Sequence, residues 1–68
     1  MKVQYDKEVD AAYILLSNLK PDGAIEISEG VNLDVTDKDE IVGIEILNAS
    51  KRFPLDTLFK YEFENYQV

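Results

Sequence analysis

Asp34, Asp37, Asp39 and Glu40 crowd into one short stretch, the kind of oxygen-rich loop that takes a hard cation. A calcium loop needs oxygen ligands at alternate positions, a central glycine and a terminal glutamate. Ile41 and Gly43 fall at the wrong places for that, and Lys38 would oppose a cation. The stretch therefore reads as a solvated hairpin turn, and no metal is assigned. Asp6 and Asp10 are close enough in sequence for paired-carboxylate acid–base work, but isolated acids at a hairpin are ordinarily turn or surface groups. Ser50-Lys51-Arg52 sits where a helix should begin, so it is either an anion site on free backbone N–H groups or a helix cap followed by two cations. Ser50 as a nucleophile would need an activating base, and only Lys51 is near it in sequence. The chain has no His, Cys or Trp. That removes thiol nucleophiles, Cys/His zinc sites and imidazole bases. The residues read as a non-enzyme with no cofactor.

The charge balance narrows the partners. Fourteen acids against seven bases give a net charge of −7. A phosphate backbone calls for a basic patch, so direct binding to nucleic acid is not expected. No apolar run approaches the ~20 residues of a membrane span, and Met1–Asp6 lacks the apolar stretch of a signal peptide. The expectation is a cytoplasmic protein away from membranes. Sixty-eight residues cannot build two cores, so residues 1–68 read as a single small domain. At this size the stability margin is thin, and small scaffolds usually add disulfides, a metal or a second subunit. With Cys and His absent, self-association as a dimer or higher oligomer is the expected support.

The elements that would carry these groups follow from periodicity. Val3 and Tyr5 alternate with Lys2 and Gln4 as a short strand does. Ala11–Leu16 is apolar throughout and reads as the second strand of a hairpin, although Val9, Ala12, Tyr13, Leu16 and Leu19 also fit a helical face over Val9–Leu19. Pro21-Asp22-Gly23 makes a turn. Three strands then follow, with Ile25/Ile27, Val31/Leu33/Val35 and Val42/Ile44/Ile46 on one side of each, joined as an antiparallel meander. Asn48-Ala49-Ser50 starts a short helix with Pro54 in its first turn and Leu55, Leu58 and Phe59 on one face, ending near Lys60. Tyr61–Tyr66 reads as strand or as helix extension. The fold class is α+β: an N-terminal hairpin plus a three-stranded meander in one small antiparallel sheet, with one short C-terminal helix.

This arrangement gathers one surface. With the apolar positions facing the core, Glu26, Asn32, Asp34 and Glu45 point the other way and form a mostly acidic sheet face, with Gly43 leaving its centre open to close approach. The second strand is apolar on both faces, so Tyr13 or Ile14 lies beside the carboxylates. Tyr13, Ile14, Glu26, Asp34, Gly43 and Glu45 are thus the candidate partner-binding residues; ordinary solvated strand faces would use the same pattern.

Tyr5-Asp6, Asp10-Ala11, Tyr13-Ile14, Gly30-Val31 with Asp34, and Val42-Gly43-Ile44-Glu45-Ile46-Leu47-Asn48-Ala49-Ser50-Lys51-Arg52 resemble a family of short prokaryotic proteins, domain of unknown function 2283. The similarity covers roughly residues 2 to 53 and supplies no catalytic residues. Some members look like the antitoxin half of toxin–antitoxin pairs, beside toxins with a compact ribonuclease-like fold. The resemblance implies a non-catalytic protein-binding module that neutralises a small basic toxin. The alternative is a structural or regulatory homodimer.

Overall fold

The computed structural model describes residues 1–65. Five strands form one antiparallel sheet: β1 (Lys2–Asp6), β2 (Ala11–Leu15), β3 (Gly23–Ser28), β4 (Val31–Val35) and β5 (Ile41–Leu47). Their spatial order is β1-β2-β5-β4-β3. The N-terminal hairpin and the β3–β4–β5 meander are thus joined edge to edge, through β2 and β5. Val9–Leu19 is not helical. A helix there would bury Val9 and Leu19 on its apolar stripe, and both are exposed.

The register writes the chemistry of each face as rows across the sheet. Val3, Ile14, Ile44, Leu33 and Ile25 pair in turn from β1 to β3, an apolar row five strands wide. Tyr5, Ala12, Ile46 and Val31 form the next row on the same side. On the opposite side, Gln4, Tyr13, Glu45, Asn32 and Glu26 pair in succession, and Lys2, Leu15, Gly43, Asp34 and Ala24 make a second row, with Lys2 at the β1 edge. Side chains alternate across a strand, so these registers separate an apolar side from a polar, acidic one. Bulges interrupt the ladder between Asp34 and Val35 and between Glu26 and Ser28.

The chain leaves β5 through Asn48, whose left-handed backbone (φ 55°) turns it into α1 (Ala49–Arg52). The single helix expected through Lys60 is instead divided. Phe53 is extended, Pro54 follows it, and a 3-10 helix spans Leu55–Phe59. Proline disfavours helical backbone at the residue before it, so Pro54 breaks the run rather than opening it. Residues 60–65 are neither helix nor strand, and Tyr66 lies outside the described residues.

Among the described residues the sheet has no second layer over most of its apolar side, and only Ala12, Val35, Val42 and Ala49 are buried hydrophobic residues. The 3-10 helix reaches just one corner, where Leu58 and Phe59 face Val3 and Ile14 across a groove of about 270 Å³. Leu33, Ile44 and Ile46 stay half-buried, and Ile25 is exposed. The molecule is accordingly a slab, 37 × 33 × 20 Å.

Candidate functional site

The acidic side carries most of the candidate partner-binding residues, and it is more ordered than a solvated strand face. Tyr13, on β2, crosses β5 to donate from its hydroxyl to Asp34 Oδ2 on β4 at 2.8 Å. The crossing is allowed because Gly43 lies beneath the ring. A Cβ at that position would stand 2.6 Å from Tyr13 Cζ and 2.9 Å from the Ile14 carbonyl oxygen. Gly43 is therefore not an open centre for a partner, as its lack of a side chain suggested; the chain's own tyrosine occupies the space. Beside this pair, Asn32 donates from Nδ2 to Glu45 Oε1 at 3.2 Å. Burial pushes the Tyr13 hydroxyl above the usual tyrosine range, and the bond to Asp34 and the Asp34 and Glu45 charges add to this.

Glu26 and Glu45 thus share one row about 10 Å apart, with Asn32 between them, and Asp34 stands on β4 in the next row, diagonal to both. Their facing partners are tyrosine and asparagine, not cations. Among the described residues the one ion pair is Lys60–Asp56, on the C-terminal segment and away from the sheet. Ile14 belongs to the other side, in the apolar row between Val3 and Ile44. The six candidates therefore divide five to one between the faces.

Ser50, Lys51 and Arg52 fall in α1; the donors of Ser50 and the Arg52 side chain bond within the chain, and Lys51 is exposed. The Ser50 N–H donates to Asp10 Oδ1 at 3.0 Å and its hydroxyl to Asp10 Oδ2 at 2.7 Å. Tyr5 donates to the same Oδ1 at 2.6 Å, and the Ala49 N–H donates to the Asp10 carbonyl at 3.0 Å. Asp10, forty residues upstream, is the residue that caps α1; the Asn48 side chain makes no capping bond. The Tyr5 bond, then the two Ser50 bonds, hold the Asp10 carboxyl below the usual aspartate range, with Lys51 assisting against a smaller effect of burial. Arg52 folds back instead of facing an anion. Its Nε donates to the Leu47 carbonyl at 2.8 Å and its Nη2 to the Glu29 carbonyl. It thereby fastens the β3–β4 turn, where Gly30 has φ +76°, to the end of β5.

Asp10, weighed in the sequence only as a possible acid–base partner of Asp6, instead binds Tyr5 and Ser50 and serves the fold. The presence of Tyr5 and Asp10 among the residues that carry the family resemblance is the signal that links them to Ser50. In the acidic loop, Thr36 organises the turn by accepting the Lys38 and Glu40 N–H groups on its hydroxyl. Among the described residues no group of three or more acids gathers as a metal site would require. Among them also, no helix is long and apolar enough to cross a membrane.

Comparison with known proteins adds the following. A protein of Methanosarcina mazei bearing the name "Putative hypoxanthine phosphoribosyltransferase" is 43% identical over 54 residues, 79% of this chain and 43% of that protein. An uncharacterised protein of Methanocaldococcus jannaschii is 34% identical over 56 residues, 82% of this chain and 47% of its own length. The chain thus spans less than half the length of these curated relatives. No solved structure matches it. Residues 2–50 match the family described as "Protein of unknown function (DUF2283)", and the chain belongs to that family.

Proposed function

We propose that the chain is a non-catalytic protein-binding module whose acidic sheet face receives a small basic protein. The observation that carries this reading is the group of carboxylates in two neighbouring rows on β3, β4 and β5, fixed to the sheet and, among the described residues, in no ion pair. Asp34 and Glu45 are each held by one neutral donor, which orients a carboxylate and leaves its charge intact. A net charge of −7 adds a long-range field that speeds encounter with a positive partner. A nuclease-like toxin is such a partner, since it needs a positive groove for RNA phosphates. Carboxylates at strand spacing would occupy those phosphate positions and exclude the substrate.

The name borne by the Methanosarcina relative describes transfer of a phosphoribosyl group. A phosphate-bearing substrate needs free cationic or backbone donors. Here the Ser50 N–H and the Arg52 guanidinium are bonded within the chain. That speaks against an anion site on these two groups, and Lys51 is the exposed cation beside them.

Co-expression with the product of an adjacent basic reading frame tests the proposal. The expected result is a complex that survives size exclusion in low salt and is lost from the variant Glu26→Gln/Asp34→Asn/Glu45→Gln. A complex of equal strength with that variant would place recognition elsewhere.

A further inference from the structure

The opposite side of the sheet raises a separate question: what covers it. Its central row, Val3–Ile14–Ile44–Leu33–Ile25, contains no charge, and among the described residues the C-terminal segment reaches only the Val3–Ile14 end. At the far end Ile25 is 46% exposed, and Ile27 at the neighbouring bulge is 56% exposed. The segment that leaves the 3-10 helix has the complementary deficit. Phe59, Tyr61 and Phe63 alternate with Lys60, Glu62 and Glu64, and the three aromatics are 77, 77 and 73% exposed. The accessible surface is 5655 Å². A compact monomer of this mass has about 4,400 Å². The excess is larger than the roughly 800 Å² that each partner of a standard protein interface buries.

We propose that the apolar face is the interface of a two-fold homodimer, in which residues 59–63 of each copy lie across β4 and β3 of the other. An extended chain advances about 3.3 Å per residue, so Phe59 to Phe63 covers about 13 Å. The span from β5 to β3 is about 10 Å. The three aromatics therefore match the width of the uncovered rows. Charge does not oppose the arrangement, because the carboxylates of β3, β4 and β5 lie on the opposite side. Lys60, Glu62 and Glu64 face away from the aromatics and stay in solvent. The dimer uses a different face from the proposed basic partner and leaves both acidic faces outward, so the two readings stand or fall separately.

Sedimentation equilibrium of the full chain at tens of micromolar should give twice its 7.8 kDa mass. Added salt should leave the dimer unchanged or tighten it, the reverse of its effect on an acidic-face complex. A monomer mass overturns the dimer. The exchange of segments is read by cross-linking, which has no background because the chain has no cysteine. Chains carrying Ile25→Cys are mixed with chains carrying Phe63→Cys, allowed to re-equilibrate and oxidised. The mixed disulfide should exceed either like-with-like disulfide by at least about five-fold. A dimer that yields no such excess overturns the exchange. Tyr61→Ser/Phe63→Ser, altering exposed side chains only, should raise the dimer dissociation constant by roughly 100-fold or more. An unchanged constant would likewise overturn it.

Discussion

Gly43→Ala should lower the melting temperature by roughly 5–20 °C, following an overpacking cost of about 1–3 kcal/mol. The new methyl would press on the Tyr13 ring and on the Ile14 carbonyl. A tyrosine at the free end of its side chain could simply move, but this one is held by Asp34 across β5. Displacing it leaves a half-buried carboxylate without its donor. Tyr13→Ala alone loses that bond and some packing. In the double variant, Tyr13→Ala should recover part of the Gly43→Ala loss, because the ring clash is gone and only the backbone contact remains. Thermal melts at one fixed chain concentration measure the coupling, which is needed because association shifts apparent stability. A Gly43→Ala melt within about 2 °C of the parent would mean that the ring does not depend on this site.

Asp10→Ala should produce the largest loss of stability among single truncations at the α1 end. It strands three donors at once: the Tyr5 hydroxyl, the Ser50 N–H and the Ser50 hydroxyl. Tyr5→Phe and Ser50→Ala each remove one side-chain donor and should cost less. Because the folded carboxyl is held below its ordinary range, the folded state favours the ionised form. Its contribution is complete above the unfolded value, near ~3.9, and is lost as pH falls through the lower folded value. Wild-type stability should therefore decline from about pH 4 downward, and Asp10→Ala should show a flatter profile there. Asp10 also has left-handed backbone (φ 54°), so Asp10→Gly serves as a control. Glycine adopts that conformation without strain, so its loss relative to wild type reports the hydrogen bonds together with glycine's larger unfolded-chain entropy, free of backbone strain. Equal acid sensitivity in wild type and Asp10→Ala would remove the carboxylate from the account.

Much of this sheet is legible in the sequence because its strands alternate. Val31, Leu33 and Val35 against Asn32 and Asp34 announce β4 and its two faces together, and Ile44 and Ile46 against Glu45 do the same for β5. What escaped reading was every contact made across long separations. Asp10 reaches Ser50 over forty residues and Tyr13 reaches Asp34 over twenty-one, and no local period reports either. Pro54 was legible as a helix-start signal, but the helix it opens is the 3-10 helix, since its effect on Phe53 ends α1 before it. Gly43 was legible as a site of close approach, although what approaches is the chain's own Tyr13.

The residues behind the family resemblance acquire a physical meaning in this light. Tyr5, Asp10, Ala49 and Ser50 are one hydrogen-bonded cluster, Tyr13, Gly43 and Asp34 a second, and Gly30, Leu47 and Arg52 a third. Each ties a turn or a strand to an element distant in sequence. The signature therefore describes how the turns and α1 are tied to the sheet.

Stopped-flow association with a co-expressed basic partner, measured across ionic strength, tests the proposed role of those surfaces most directly. The account predicts a rate that falls steeply with salt for the native chain. It also predicts a rate at least ~10-fold lower at low salt, with a much flatter salt dependence, for Glu26→Gln/Asp34→Asn/Glu45→Gln. An equal rate and an equal salt slope in the two proteins would contradict recognition through the acidic face.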